Sequence, residues 1–369
     1  MKVCIVIGTR PEIIKLAPIL RYCASHKIDY EVAHTNQHYS ESLDKVFFDE
    51  LGLEKPKYNL QVGSGAIAFL EDSTHGRQTA MMLERVERVL LKEKPDLVIV
   101  HGDTNSTLAG ALAASKLRIP LAHVEAGLRS YDRDMPEEIN RVITDHISDF
   151  LFAPTDKEAQ ILRREGVGND RIFVVGNTVV DSLMQNLKQA TKRHDMLERF
   201  GVKKSGFFLI TAHRPRNVDN EKNLRGILSA LGELHRKYGM PIVYPMHPRT
   251  QRMFKRFGMK APAGITITEP LGYLEFLQLM SNAKLILTDS GGVQEEACVL
   301  RIPCVTLREN TERPETLDVG ANILAGTDPK RILKSVENML QKKPDWNNPF
   351  GDGKAAERIM EVLIGRLSK

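Results

Sequence analysis

Residues 285–297 carry the most informative pattern in this chain. An apolar run ends at Asp289 and Ser290, two glycines follow, and a segment with helical character begins. The pattern predicts a strand, a tight turn and a helix, in which Gly291 and Gly292 let a ligand approach the backbone closely. The unpaired N–H groups at the start of such a helix favour an anion, so the turn is predicted to bind phosphate.

Glu296 adds a second kind of contact to the same helix. It lies four residues after Gly292, which is about one helical turn. A carboxylate at that place can accept hydrogen bonds from the two hydroxyls of a ribose, so the segment predicts a nucleotide site. The alternative is a strand–helix corner in which the glycines serve packing and Glu296 is a solvated charge. The spacing alone leaves both interpretations open.

Charged residues also follow other apolar runs, at the carboxyl ends of predicted strands where open parallel sheets bind ligands. Cations that can hold a diphosphate without a metal ion are Arg10, Lys15, His213 and Arg313. Acids that could transfer protons, with pKa values separated by crowding and burial, are Asp103, Glu125, Glu137 and Glu138. For a single residue the alternative is a surface charge. For Glu137 and Glu138 the alternative is that they form the acidic first turn of a helix that begins at Pro136.

The elements that must position these residues alternate along the chain. Apolar runs rich in Val and Ile alternate with amphipathic segments, which predicts parallel sheets covered on both faces. The predicted strands are 3–7, 30–34, 97–101, 121–124, 150–153, 172–175, 207–211, 242–245, 265–268, 284–288, 304–307 and 322–324. We therefore expect an α/β protein with two doubly wound Rossmann-like domains that face a cleft. The expected limits are 1–176 and 177–352, with a C-terminal helix in 353–369 that packs back on the first domain.

Composition narrows the class of protein. The chain has 369 residues, a net charge of +5 and no basic stretch interleaved with aromatic residues, so no nucleic-acid partner is predicted. No apolar run approaches the roughly 20 residues of a membrane span. Four cysteines without a CxxC pattern suggest reduced thiols and a cytoplasmic location. No spacing predicts a metal site, and Asp132-Arg133-Asp134, which resembles the DxD of some sugar-nucleotide transferases, is interpreted as a solvated loop.

Six segments together resemble the UDP-N-acetylglucosamine 2-epimerases, and the non-hydrolysing type more than the type that releases the sugar. They are residues 8–12, 101–104, 123–129, 136–141, 289–296 and 311–315, and the similarity continues in order over nearly the full chain. The resemblance implies the two-domain GT-B fold, with the nucleotide mainly on the second domain and the sugar facing the first. It also implies a homodimer and no cofactor.

The resemblance assigns a role to each candidate residue. Ser290, Gly291 and Gly292 resemble the phosphate-binding turn, Glu296 the ribose ligand, and Phe276 a residue beside the uracil. The implied diphosphate contacts are Arg10, Lys15, His213 and Arg313, and the implied catalytic residues are Asp103, Glu125, Glu137 and His213. Parts of a second site, for an activating UDP-GlcNAc, are similar to Gln37, His38, Arg77 and Gln78.

The implied reaction interconverts UDP-GlcNAc and UDP-ManNAc by inversion at C2, and supplies ManNAc units for surface polysaccharide or glycan synthesis. The residue types suit it, since the C2 proton becomes acidic only as UDP leaves C1. Cations then stabilise the diphosphate and a carboxylate takes the proton, giving a 2-acetamidoglucal. The rivals are a GT-B glycosyltransferase, which shares the nucleotide site, a hydrolysing epimerase, and a catalytically inactive UDP-sugar sensor.

Overall fold

The computed structural model describes residues 1–37, 47–62, 74–193 and 195–367, without the side chain of Arg193. The chain divides into two compact units. The first comprises Met1–Gln185 and Phe350–Lys369, and the second comprises Asn186–Pro349. Each unit is an α/β structure built on a parallel sheet, which confirms the predicted fold class of two doubly wound domains.

The first unit is built on β1 (Lys2–Ile7), β2 (Asp29–His34), β3 (Tyr58–Asn59), β4 (Leu97–His101), β5 (Leu121–Val124), β6 (Phe150–Ala153) and β7 (Ile172–Val174). These seven strands of the described residues are parallel and lie in the order β3-β2-β1-β4-β5-β6-β7. The central strands are almost wholly apolar and buried, because helices cover both faces. The sequence did not predict β3, which is only two residues long and has no periodicity.

The helices of this unit are α1 (Arg10–Ser25), α2 (His75–Glu93), α3 (Asn105–Lys116), α4 (Pro136–Ile147), α5 (Asp156–Arg164) and α6 (Thr178–Arg193), the last of which continues into the second unit. Polar residues at the first turns favour these starts: Thr74 caps α2 and Thr104 caps α3. The register of β4 and β5 pairs His101 with Val124. This pairing brings the ends of the two strands together, and with them Asp103 and Glu125.

The second unit is built on β8 (Phe208–Thr211), β9 (Ile242–Pro245), β10 (Ile265–Thr268), β11 (Leu285–Thr288), β12 (Cys304–Thr306) and β13 (Asn322–Leu324). These strands are parallel in the order β10-β9-β8-β11-β12-β13. Its helices are α7 (Met196–Arg199), α8 (Pro215–Val218), α9 (Glu221–Tyr238), α10 (Pro248–Arg256), α11 (Tyr273–Asn282), α12 (Gly291–Val299), α13 (Pro314–Asp318) and α14 (Pro329–Gln341). A buried core that includes Ile210, Leu231 and Val336 joins the sheet to α9 and α14.

The C-terminal helix α15 (Ala355–Leu367) belongs to the first unit and packs against α1. The buried carboxylate of Asp181 accepts hydrogen bonds from the backbone N–H groups of Ala355 (3.2 Å) and Ala356 (2.9 Å) and so anchors the start of the helix. The division between the units falls after Gln185 and before Phe350, whereas the sequence places the limits at 176 and 352. The difference at the first limit arises because α6 continues across the division.

No helix in the described ranges combines the length and the apolar character that crossing a bilayer would require.

Candidate active site

The two glycines that follow β11 have different surroundings. A Cβ atom on Gly291 would lie 2.7 Å from Glu312 Oε1, whereas a Cβ atom on Gly292 would meet no atom within 4 Å. Gly291 therefore packs closely against Glu312, as the packing interpretation expects, and Gly292 leaves open space at the start of α12, as the ligand interpretation expects. The preceding turn is fixed by Ser290 N, which donates to Thr288 Oγ1 at 3.0 Å.

Glu296 lies on the first turns of α12 and is largely buried. Its Oε1 atom accepts a hydrogen bond from the Tyr273 hydroxyl at 3.1 Å. Tyr273 begins α11, and Phe276 follows it one turn later with a half-buried ring. The sequence analysis missed Tyr273. The available signal is an aromatic pair spaced i, i+3 in a predicted helix, which shares one face.

Asp289, the residue directly after β11, organises the loop that carries His213. Its buried carboxylate accepts hydrogen bonds from His213 N (2.9 Å), Arg214 N (2.9 Å) and Asn217 Nδ2 (3.0 Å). Its Oδ1 atom also lies 3.3 Å from His213 Nδ1. Asp289 thus fixes both the backbone and the ring of His213, a residue that is predicted to bind the diphosphate.

Two histidines are close to each other in this unit, with ring centroids 5.6 Å apart for His213 and His247. Burial lowers the pKa of His213; Asp289 opposes this effect and Arg214 adds to it. The pKa of His247 is also lowered, first by burial and then by the charge of His213. Both rings therefore favour the neutral form, which can donate or accept a proton.

Arginines near the turn at Gly291 and Gly292 form ion pairs with acidic residues of the same unit. Arg313 Nε lies 2.7 Å from Glu295 Oε1, and Arg308 lies 2.7 Å from Glu312 Oε2. Burial opposes the ionisation of Glu312, but Arg313, Arg308 and Arg214 together lower its pKa to about 2. The predicted diphosphate contact Arg313 is thus held in a fixed position by a buried carboxylate.

In the first unit, α1 begins at Arg10, whose guanidinium lies 4.5 Å from the centre of the Phe47 ring. The carboxylate of Glu12 accepts hydrogen bonds from Gly8 N, Thr9 N and the hydroxyls of Thr104 and Thr107. Glu12 therefore joins the first turns of α1 and α3, and its role here is to position those helices.

Lys15 and Glu125 form a buried ion pair. Lys15 Nζ lies 2.7 Å from Glu125 Oε2, and His101 Nε2 lies 2.9 Å from the same oxygen. The sequence assigned Lys15 to the diphosphate contacts, and the structure places it beside a predicted catalytic acid. Glu125 has a left-handed backbone conformation with φ of 69°, which is uncommon for a non-glycine residue and concentrates at functional sites.

The loop after β5 is held by Asp145 of α4, a residue that the sequence analysis missed. Its buried carboxylate accepts hydrogen bonds from His123 Nδ1 (2.7 Å) and Gly127 N (3.2 Å), and pairs with Arg129 at 2.7 Å. Burial opposes ionisation, but His123 and Arg129 outweigh it and lower the pKa of Asp145. His123 Nε2 is 2.8 Å from the carbonyl oxygen of Gly102, so both ring nitrogens have partners.

The remaining predicted acids differ in role. Asp103 is partly exposed and accepts two hydrogen bonds from Arg141, at 3.0 and 2.6 Å. Glu138 accepts from Ser130 N and Tyr131 N and so anchors the preceding loop. These contacts, with Arg141, lower the pKa of Glu138 against the effect of burial. Glu137, half-buried on the first turn of α4, has no hydrogen bond or ion pair to any described residue.

The predicted second site lies only partly within the described residues, because His38 falls outside them. Gln37 Oε1 accepts hydrogen bonds from Ser106 N (3.0 Å) and Ser106 Oγ (2.8 Å), which places it at the start of α3. Gln78 Nε2 donates to the Gln37 carbonyl oxygen at 3.2 Å, and Arg77 is exposed beside it on α2. The three described members are therefore neighbours in the structure.

The loop at 132–134 forms a local turn, in which Asp134 N donates to Asp132 Oδ1 at 3.1 Å. Within the described ranges, no group of three or more His, Cys, Asp or Glu side chains could hold a metal ion. All four cysteines are buried free thiols.

The fold and these side chains define a class of protein, the two-unit α/β enzymes that act on nucleotide sugars. The chain belongs to the UDP-N-acetylglucosamine 2-epimerase family, whose model matches residues 21–364. It is 56% identical over 369 residues to the UDP-N-acetylglucosamine 2-epimerase of Methanocaldococcus jannaschii, covering 98% of this chain and 99% of that relative. The family resemblance seen in the sequence is thereby confirmed.

Two further similarities bear on the ligand. A crystal structure of the Methanocaldococcus jannaschii UDP-GlcNAc 2-epimerase in complex with UDP-GlcNAc and UDP aligns with a TM-score of 0.90 and 56% identity, covering 99% of this chain and 100% of that chain. The UDP-2,3-diacetamido-2,3-dideoxy-D-glucuronate 2-epimerase of Pseudomonas aeruginosa is 41% identical, covering 98% of this chain and 99% of that relative.

Proposed function

We propose that this protein interconverts UDP-GlcNAc and UDP-ManNAc by elimination and re-addition of UDP, without hydrolysis. The observation that carries the proposal is the buried Lys15–Glu125 pair, at 2.7 Å, directly after β5. A lysine beside a carboxylate favours its ionised form, which is the form that can take a proton from carbon. A catalytically inactive UDP-sugar sensor has no use for such a group.

In this proposal the second unit binds UDP. The start of α12, with Ser290, Gly291 and Gly292, receives phosphate, and Glu296 receives the ribose hydroxyls. The Tyr273 hydroxyl, 3.1 Å from Glu296 Oε1, orients that carboxylate. Phe276 would lie beside the uracil. Arg313 and His213, which Glu295 and Asp289 hold in place, would contact the diphosphate together with Arg10.

The acids of the first unit would act on the sugar. As the C1–O bond breaks, the electron pair leaves with UDP, and the C2–H pair becomes the C1=C2 double bond of 2-acetamidoglucal. Glu125 takes the proton, and Asp103 and Glu137 are the further acids available for its return. UDP is then added back after protonation of the opposite face of C2. We also propose that the protein is a cytoplasmic homodimer that supplies ManNAc units for polysaccharide or glycan synthesis, and that Gln37, His38, Arg77 and Gln78 hold a second UDP-GlcNAc.

Product analysis tests the proposal. Purified protein is incubated with UDP-GlcNAc, and the mixture is followed by ³¹P and ¹H NMR. The expected result is a mixture of UDP-GlcNAc and UDP-ManNAc with both sugars still joined to UDP. Free ManNAc together with free UDP would identify a hydrolysing epimerase instead. No change in the spectrum would refute C2 epimerisation of this substrate.

A second substrate is a specific candidate because of the relative with 41% identity that acts on a diacetamido-glucuronate. That sugar differs from GlcNAc by a carboxylate at C6 and an acetamido group at C3. A parallel incubation with UDP-2,3-diacetamido-2,3-dideoxy-D-glucuronate compares kcat/KM for the two sugars. A higher kcat/KM for the acidic sugar would identify that sugar, instead of UDP-GlcNAc, as the preferred substrate. The proposed chemistry at C2 would be unchanged.

A further inference from the structure

His101 is a buried titratable side chain that the mechanism above does not use. It ends β4 and is only 3% exposed. Its Nε2 atom is 2.9 Å from Glu125 Oε2, but the two groups are not aligned as an ordinary hydrogen bond. Its Nδ1 atom has no hydrogen-bond partner among the described residues. Buried polar atoms are nearly always paired, so this histidine requires an explanation.

His123 provides the contrast, because it is a buried histidine on the neighbouring strand. Its two ring nitrogens lie 2.7 Å from Asp145 Oδ1 and 2.8 Å from the Gly102 carbonyl oxygen. Two fixed hydrogen-bond partners of this kind are typical of a histidine with a structural role. Among the described residues His101 has no such fixed pair of ring partners, and the polar atom recorded close to its ring belongs to a predicted catalytic acid.

We propose that His101 is the proton partner of Glu125: a positioning residue that acts through Glu125 and does not touch the sugar. The inference rests on the proposed function. After Glu125 takes the C2 proton, the O–H bond of Glu125 breaks and an N–H bond forms at Nε2 of neutral His101. Glu125 is thereby ionised again, while the proton that completes the inversion reaches the opposite face of C2 from one of the other acids.

The charges around Glu125 favour this transfer. Lys15 Nζ, 2.7 Å from Glu125 Oε2, disfavours a proton resting on that carboxylate, and histidine is the side chain suited to hold one near neutral pH. The positive charge gained by His101 balances the negative charge that UDP gains on leaving. The charged groups linked to His101 by described contacts are Glu125 after β5, Lys15 on α1, which pairs with Glu125, and Glu12, which shares Thr107 with the carbonyl oxygen of His101.

The first test compares His101→Gln with wild type. Glutamine can donate a hydrogen bond near the place of Nε2 but cannot carry the proton. We expect kcat to fall about 10²-fold, with KM and UDP affinity nearly unchanged, and one limb of the pH–rate profile to disappear. The matched control is His123→Gln, which should lower the unfolding midpoint and retain both limbs. Wild-type kcat with an unchanged pH profile in His101→Gln would overturn the proposal.

The second test needs no turnover. Protein labelled with ¹³C at the glutamate carboxyl carbons is titrated by NMR, and the Glu125 signal is assigned by its loss in Glu125→Gln. In wild type the titration curve of the Glu125 signal should show an additional step when His101 ionises. This step should be absent in His101→Gln. If His101→Gln does not fold, His101→Asn takes its place in the comparison. A step that persists in both variants, or none in wild type, would refute the pairing. Absence of epimerase activity in wild type would refute the proposed function separately.

Discussion

Asp289 and Glu125 each stand directly after a buried parallel strand of their unit, yet their surroundings differ. Asp289 is fully buried and accepts hydrogen bonds from two backbone N–H groups and the Asn217 amide. Glu125 is in close contact with Lys15 and His101, two groups that can change charge. The first arrangement fixes a loop, and the second can respond to a proton. Under the proposed function, a carboxylate directly after a buried strand supports binding in one unit and chemistry in the other.

The largest expected effect is on turnover, in Glu125→Gln. The amide is nearly isosteric but cannot take the C2 proton, so kcat should fall by about 10²–10⁴-fold. Since most of the proposed nucleotide contacts lie in the second unit and Glu125 is not among them, UDP affinity measured by calorimetry should stay close to wild type. Retained turnover would remove Glu125 from the catalytic set.

Asp289→Ala should show the opposite pattern. Three donors, on His213, Arg214 and Asn217, lose their buried acceptor, which should lower the free energy of unfolding by about 1–3 kcal/mol and weaken UDP binding. Denaturant unfolding and calorimetry measure the two quantities. Asp289→Asn, which keeps one acceptor oxygen, is the matched control and should lose less. Unchanged UDP affinity in Asp289→Ala would show that the His213 loop does not contact the nucleotide.

The paired glycines separate packing from binding within the second unit. Gly291→Ala places a Cβ atom 2.7 Å from Glu312 Oε1 and should destabilise the fold by about 1–3 kcal/mol. Gly292→Ala meets no protein atom within 4 Å, so its stability should match wild type while UDP binds more weakly. If Gly292→Ala binds UDP with wild-type affinity, the phosphate does not lie at this turn.

The contribution of the ribose contact should be intermediate. Glu296→Ala should weaken UDP binding by about 1–3 kcal/mol, because buried hydrogen-bond partners remain unpaired. Tyr273→Phe removes only the hydroxyl that orients Glu296 at 3.1 Å, and should cost about 0.5–1.5 kcal/mol. Uridine, which keeps the ribose and lacks the diphosphate, is the control ligand. Each variant should weaken the binding of uridine by the same factor as the binding of UDP. Equal affinity of both variants and wild type would place the ribose elsewhere.

The effect expected over the narrowest range of conditions is a pH dependence of stability. The pKa of Glu312 is lowered from 4.5 to about 2, so its contribution is complete above its ordinary pKa and is lost as the pH falls from about 4.5 toward about 2. Glu312→Gln should therefore lose less stability than wild type over that range, as measured by unfolding midpoints at several pH values. Identical slopes would mean that the arginines do not hold Glu312 in its ionised form.

The sequence predicted the strands well because parallel strands buried on both faces form continuous apolar runs, as in β1 and β11. It also predicted which polar residues follow those strands. It could not predict their partners. Lys15 and Glu125 are 110 residues apart, so only the folded sheet brings them together. For the same reason the sequence gave no role to Tyr273 or Asp145.

The most direct test of the central claim is solvent exchange at C2. Wild-type protein is incubated with UDP-GlcNAc in deuterated water until the two epimers reach equilibrium, and the H2 signal of each is measured by ¹H NMR. The account predicts that deuterium replaces the C2 proton in UDP-ManNAc and also in the remaining UDP-GlcNAc, because a carboxylate removes that proton and returns one from solvent. Conversion to UDP-ManNAc with the original proton fully retained at C2 would contradict proton transfer through Glu125.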